Sequence, residues 1–155
     1  MKTLTVNPLD GSHILGRKFD RIITTYRDQI GDKFIHETIG TVKYSHNWVV
    51  IDTDDEICRY YASIVEKNFG VKLHWKSMWG GHVSVIRGEE LLLNQDKWGQ
   101  YKEGEEVVIN YSHDIYTNGQ HWWLNVKSKD ISDLRTFYGL PENDRNIHLT
   151  IGRIG

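Results

Sequence analysis

Apolar and polar residues alternate in two short stretches, one in the middle and one at the end of the chain. Residues 82–87 read HVSVIR, and residues 148–153 read HLTIGR. Alternation with a period of two predicts β-strands, because successive side chains of a strand point to opposite faces. Each strand would carry a histidine and a hydroxyl on one face and aliphatic side chains on the other. Lying side by side, the two strands would turn four side chains toward one cavity: His82, Ser84, His148 and Thr150.

The first half of the chain mixes helical and strand patterns. The predicted elements are a strand near residues 4–6, a helix over 17–30, an extended stretch over 34–44 broken at Gly40, a strand over 47–52, a helix over 53–70 and a strand over 71–76. Thr53 and Glu56 have the spacing of a capping box, so we expect the second helix to begin at Thr53. Gly70 is expected to end it.

The second half repeats this order in a shorter form. Residues 88–105 are polar and predict a connector. Strands over 106–112 and 121–127 follow, and the Asn118-Gly119 pair between them is typical of a hairpin turn. A short helix begins at Ser128 or Asp130 and ends at Gly139. The order strand, helix, motif strand therefore occurs twice, which indicates a weak internal duplication.

Composition limits the classes of function. At 155 residues the chain predicts one domain. A net charge of −2 argues against a protein that grips long nucleic acid, whereas a small nucleotide or one end of an RNA fits. No apolar run is long enough for a membrane span and no signal-peptide pattern is present, so no membrane partner and a cytoplasmic location are expected. The single cysteine, Cys58, excludes an internal disulfide and a cysteine zinc site.

The two motifs resemble those of the 2H phosphoesterases, a superfamily with paired His-x-Thr/Ser motifs. It includes LigT-like 2′-5′ RNA ligases, cyclic phosphodiesterases and small viral or phage proteins that cleave host signalling nucleotides. The resemblance implies an α+β fold of the bilobal LigT-like kind, with two pseudo-symmetric β-sheet lobes, flanking helices and a central cleft. Residues 1–155 would form a single domain, with a first lobe over 47–90, a second over 106–155 and an N-terminal extension, residues 1–45, that the resemblance does not explain.

The chemistry implied is hydrolysis of small RNA-like phosphodiesters without a metal or cofactor. One histidine would take a proton from the nucleophile, while the other gives one to the leaving oxygen. Ser84 and Thr150 would donate hydrogen bonds to the non-bridging oxygens. Expected substrates are 2′,3′-cyclic phosphates, 2′-5′ linkages and cyclic oligonucleotide messengers, the last in viral evasion of antiphage signalling. A non-catalytic nucleotide-binding protein is the alternative, and a protein-interaction module is a third hypothesis. Oligomeric state is left open.

Arg87 and Arg153 each follow a motif histidine by five residues. This odd offset turns them away from the histidine on a regular strand, where they would form a solvated strand end. A phosphate contact after a bulge or turn is the other interpretation. Further candidates for substrate binding are aromatic residues that would form a base-stacking wall, although core packing is favoured for any one of them: Tyr44, Trp79, Tyr111, Tyr116 and Trp122. Trp122 and Trp123 are adjacent, so only one of them faces the core.

A third His-x-Thr sequence lies at residues 36–38. Glu37 is charged where the other two motifs carry an aliphatic residue, and no arginine follows His36 at the same offset. We therefore do not expect this sequence to be functional. His113 and His121 flank the hairpin, but no acidic or cysteine ligand accompanies them, so no metal site is predicted.

Overall fold

Strands predominate in the part of the chain that the structure describes. The structure is a computed structural model that describes residues 34–74, 80–141 and 147–154, together with the backbone of residues 5–8. The elements are β1 (Thr5–Pro8), β2 (His36–Ser45), β3 (Trp48–Asp52), α1 (Asp55–Phe69), β4 (Leu73–His74), β5 (His82–Arg87), β6 (Glu106–Thr117), β7 (His121–Lys127), α2 (Lys129–Phe137) and β8 (His148–Ile154). The helix predicted over 17–30 lies outside the described residues.

Six antiparallel strands form a barrel-like sheet. Each of β6, β2, β3, β5, β8 and β7 pairs with the next, and β7 pairs back to β6. β1 adds to β6 in parallel and β4 adds to β8. Between β5 and β8 the register contains the single pair Val83 and Leu149. The α+β class expected from the sequence is confirmed.

The two faces of this sheet differ in chemistry. One face packs against both helices and forms the core, to which β3 contributes Val49 and Ile51 and α1 contributes Cys58 and Val65. We call this the helix face. The opposite face carries solvent-exposed side chains, among them Ile39 and Val108. We call it the inner face.

β2 runs without interruption through Gly40, where the sequence predicted a break. A Cβ atom at Gly40 would overlap Ile51 Cγ2 and lie 2.9 Å from the backbone oxygen of Asp52. The glycine therefore serves close packing of β2 on β3, and the predicted break is wrong. A glycine inside a strand pattern can indicate either a break in the strand or close approach of a neighbouring backbone. Only the position of the neighbouring strand distinguishes the two.

α1 begins two residues later than the sequence predicted. Its N-cap is Asp54, whose Oδ1 accepts the Glu56 N–H at 2.9 Å. Thr53 instead continues from β3 and donates its N–H to the Gly81 oxygen at 2.8 Å. The predicted end is confirmed: Gly70 has φ 67° and donates its N–H to the Glu66 oxygen.

Other boundaries follow the pattern with local differences. β6 continues to Thr117, beyond the predicted end at 112, because its hairpin with β7 keeps pairing as far as the turn. Of the strand predicted over 71–76, the described part is Leu73–His74. The connector holds one short 3-10 helix, Gln95–Lys97. Neither helix of the described residues has the length and apolar character that a membrane crossing requires.

Gly40 provides a test of the β2–β3 packing. Replacing it with valine should lower the free energy of unfolding by about 1–3 kcal/mol or more, because the added atoms meet Ile51 and the Asp52 backbone. Thr41→Val, at the half-buried neighbouring position, is the matched control and should change stability little. Urea unfolding of the three proteins measures the difference. Equal midpoints for the two variants would contradict the close approach.

Candidate functional site

The two motif strands are neighbours in the sheet and run antiparallel. Val83 of β5 lies opposite Leu149 of β8, and both side chains are buried in the core. Side chains one step before and after a core-facing residue point to the other face. The four motif side chains therefore share the inner face, and we call them the motif cluster: His82, Ser84, His148 and Thr150.

Within the motif cluster each histidine lies across from a hydroxyl. The antiparallel register continued one step from the Val83–Leu149 pair sets His82 opposite Thr150 and Ser84 opposite His148. The two histidines are then diagonal neighbours, about 7–8 Å apart at their backbones. A backbone separation of this size is compatible with a phosphate group bound between the two imidazoles. Ser84 is 9% exposed, whereas His82, His148 and Thr150 are half-buried.

The backbone before β5 fixes the proton on His82. Its Nδ1 lies 2.9 Å from the Gly80 oxygen. A carbonyl oxygen only accepts, so Nδ1 donates and the lone pair of the neutral ring lies on Nε2. The turn that presents this carbonyl is itself held, because Gly81 donates its N–H to Asp55 Oδ1 at 2.7 Å. The start of α1 thus positions the first histidine.

Both motif strands bulge at the third residue after the motif histidine. In β5, Val49 and Val50 of the partner strand lie opposite Ile86 and Ser84, so Val85 is the extra residue. In β8 the pairing with β7 shifts in the same way, and the extra residue is Ile151. The two bulges therefore occupy equivalent positions in the two motifs.

These bulges change where the motif arginines point. A one-residue insertion reverses the alternation of side chains beyond it. Arg87 lies opposite Trp48, and Arg153 lies opposite His121. Both partners belong to the inner face, so Arg87 and Arg153 return to the face of the histidines. The expectation for a regular strand, that they turn away, is wrong because neither strand is regular.

A buried arginine holds the first bulge. Arg135 of α2 is 2% exposed and donates from Nη1 to the Val85 oxygen at 2.7 Å. It also donates to both carboxylate oxygens of Glu89, at 2.9 and 2.8 Å, and to the Pro141 oxygen at 2.7 Å. These hydrogen bonds hold the pKa of Glu89 below its ordinary value. The bulged carbonyl thus has a charged donor in place of a strand partner.

A helix side chain also contacts the second motif strand. Cys58 of α1 donates its S–H to the Thr150 oxygen at 3.4 Å. Burial raises the pKa of the Cys58 thiol to about 12. The group therefore stays protonated and acts as a donor, which argues against a role as a nucleophile.

The inner face holds further residues beside the motif cluster, most of which the sequence pattern does not indicate. The Trp123 ring lies 5.6 Å from the His148 ring, and Tyr116 stacks on Trp123 at 6.3 Å. Asp52 lies opposite His82 and forms an ion pair with Lys43 at 2.9 Å. Of these, Tyr116 was a sequence candidate. Trp123 was visible only as one of two adjacent tryptophans, whose faces depend on the register of β7.

Three of the predicted stacking residues lie on the helix face, away from the motif cluster. Trp122 is fully buried and packs on Phe69 at 5.1 Å. The Tyr44 hydroxyl donates to the Tyr101 oxygen at 2.6 Å, and the Tyr111 ring stacks with His36. Their predicted position in a wall beside the histidines is therefore wrong, and core packing describes them. Trp79 lies outside the described residues.

The third His-x-Thr sequence also lies on the helix face. His36 Nε2 is 2.8 Å from His113 Nδ1, and the side chains that turn to the inner face from this part of β2 are the exposed Glu37 and Ile39. His36 is therefore separated from the motif cluster by the sheet. Over the ranges that the structure describes, no three potential ligands gather into a metal site.

Comparisons with protein-family models, curated proteins and solved structures find no match. Two imidazoles on one face of neighbouring strands, accompanied by two hydroxyls, provide two proton-transfer groups and two hydrogen-bond donors. Together with an aromatic ring next to one imidazole, they suit a small anionic ligand that carries a ring.

The hydrogen bond to Gly80 predicts the tautomer of His82. When the His82 imidazole is neutral, long-range ¹⁵N–¹H spectra should show its proton on Nδ1, since Nδ1 faces a carbonyl oxygen. Asp55→Ala removes the acceptor that holds the Gly81 N–H and should shift the population toward the Nε2 tautomer. A proton on Nε2 in the unmodified protein would contradict the arrangement.

Arg135 provides a test of how the first bulge is stabilised. Arg135→Met should lower the free energy of unfolding by about 3–5 kcal/mol, because Glu89 and the Val85 oxygen lose a buried charged partner. Arg59→Met, which removes an exposed ion pair with Glu56, is the control and should cost no more than about 1 kcal/mol.

The same pair predicts a dependence on pH. The folded-state pKa of Glu89 is lowered, so its contribution is present above the ordinary carboxyl pKa and is lost as pH falls through the lowered value. Urea unfolding at a series of acidic pH values should show this loss in the unmodified protein and a smaller loss in Arg135→Met. Parallel pH profiles would contradict the role of the pair.

Proposed function

We propose that this protein is a metal-independent phosphodiesterase of the 2H type. The observation that carries the proposal is the motif cluster itself: two histidines and two hydroxyls on one face of adjacent antiparallel strands, whose register is given by the Val83–Leu149 pair. The bulges at equivalent positions of the two motifs support an internal duplication of the chain. We further propose that the barrel-like sheet is the bilobal LigT-like fold, with β3, α1 and β5 in one lobe and β7, α2 and β8 in the other.

The geometry supports different roles for the two histidines, one as general base and the other as general acid. Neutral His82, with its lone pair on Nε2, takes a proton from the hydroxyl group of the water or ribose that attacks the phosphorus. Protonated His148 lies on the far side of the bound phosphate and gives its proton to the leaving oxygen, as in-line displacement requires. In the reverse reaction the two exchange roles.

The hydroxyls act on the charge that develops at the phosphorus. Ser84 and Thr150 lie beside the bound phosphate and donate hydrogen bonds to the non-bridging oxygens. Because Ser84 is 9% exposed, its hydrogen bond forms in a partly desolvated site, where such bonds are stronger than in water. No step in this scheme requires a redox group.

The substrate class is a small RNA-like phosphodiester. Trp123 beside His148 provides a surface on which a base can stack next to the scissile phosphate. A net charge of −2 makes long nucleic acid a poor partner. Cyclic 2′,3′-phosphates, 2′-5′ linkages and cyclic oligonucleotides all fit these features.

Hydrolysis in the presence of EDTA tests the proposal. The panel contains a 2′,3′-cyclic mononucleotide, 2′-5′ oligoadenylate and cyclic dinucleotides and trinucleotides. His82→Ala and His148→Ala should each lower kcat/KM by about 10²–10⁴-fold, as expected for loss of a general acid or base.

His36→Ala is the matched control, because His36 belongs to a similar motif on the helix face. It should keep the activity of the unmodified protein, with thermal melting used to check its folding. Turnover that survives in His82→Ala would contradict the proposal. Thermal stabilisation by nucleotides without turnover in any variant would instead indicate a nucleotide-binding protein.

A further inference from the structure

Three basic side chains form a row across three strands at one end of the site. Arg153 of β8 is paired with His121 of β7 on one side and with His74 of β4 on the other. Directly opposed residues of neighbouring strands share a face. All three side chains are exposed. We call this set the basic row.

The bulge at Ile151 brings the basic row onto the face of the motif cluster. Without it, Arg153 and Thr150 would point to opposite faces, since they are three residues apart. With it, both face inward, two strand positions apart, which is about 7 Å along the strand. Side chains of the row and of the motif cluster therefore reach adjacent parts of one bound molecule.

Among the described residues, no carboxylate forms an ion pair with Arg153 or with the two histidines beside it. Arg87, at the equivalent position of the first motif, differs because a carboxylate lies near it. Its backbone N–H donates to Glu89 at 3.2 Å, and its charge, after the hydrogen bonds from Arg135, helps to lower the pKa of that carboxyl. The two ends of the site therefore differ in whether a carboxylate lies near the arginine, and the Arg153 end is the one suited to an anion.

A guanidinium is the group that matches a phosphate best, because its planar N–H donors bind two oxygens at once. Flanking imidazoles add donors on either side of it. We propose that the basic row binds a second phosphate of the substrate, adjacent to the one between the histidines. This inference rests on the proposed function and narrows the substrate to phosphodiesters with at least two phosphates, such as linear or cyclic oligonucleotides.

The test compares substrates with one and two phosphates. They are a 2′,3′-cyclic mononucleotide, the same nucleotide extended at its 5′ side by one phosphate-linked nucleotide, and a cyclic dinucleotide. Arg153→Gln should lower kcat/KM for the two larger substrates by about tenfold or more, the loss expected for a charge-assisted contact. It should leave kcat/KM for the mononucleotide unchanged. Arg153→Lys should restore part of the loss.

Salt dependence and a control variant complete the design. Salt screens a contact between a guanidinium and a phosphate, so Arg153→Gln should make kcat/KM for the dinucleotide less dependent on salt concentration than it is in the unmodified protein. Arg59→Gln, on the exposed surface of α1, should change neither this salt dependence nor kcat/KM. Thermal melting of every variant establishes that it is folded.

The outcomes separate this inference from the proposed function. If Arg153→Gln affects all substrates equally or none of them, the second-phosphate site is wrong while the phosphodiesterase proposal stands. If the unmodified protein hydrolyses nothing, calorimetric binding of the cyclic dinucleotide decides: about tenfold weaker binding by Arg153→Gln supports the site, and equal binding overturns it. No binding by the unmodified protein overturns both proposals.

Discussion

The pairing of Val83 with Leu149 is the contact on which the rest of the site depends. It is the single registered pair between β5 and β8, and it completes the ring of six strands. It also fixes which side chains of the two motifs face inward, because a shift of one residue in either strand would send that strand's histidine into the core. Burial of both aliphatic side chains makes such a shift costly. A short contact thereby determines the geometry of four polar residues.

The two halves of the chain stabilise each other's motif. α1 belongs to the first half, yet Cys58 on it contacts the second motif strand at the Thr150 oxygen. α2 belongs to the second half, yet Arg135 on it holds the bulge of the first motif strand at Val85. Each helix therefore supports the strand that carries the other half's histidine. This arrangement explains why neither half is expected to form the site alone.

Local pattern was enough to predict the motif strands and the shared face of their histidines. The bounds of β5 match the predicted segment 82–87, and Gly70 ends α1 as its position indicates. Features that depend on a partner strand escaped prediction: the bulges that redirect Arg87 and Arg153, the choice between Trp122 and Trp123, and the role of Gly40. Each of these depends on the register between strands that are distant in sequence. The sequence of a single strand does not determine that register. The N-cap of α1 was misplaced for a different reason, since Thr53 and Asp54 are both good caps and the competing Thr53–Gly81 hydrogen bond decides between them.

Nuclear Overhauser effects measured on isotopically labelled protein report directly on the register of the two motif strands. We expect cross-strand effects between the backbone protons of Val83 and Leu149, together with contacts between the ring protons of Trp123 and His148. These would show that the two motif strands are neighbours with the register that turns both histidines inward. Resolved signals without these effects, or effects that place Val83 opposite His148 or Thr150, would contradict the account, because the two histidines would then no longer share a face.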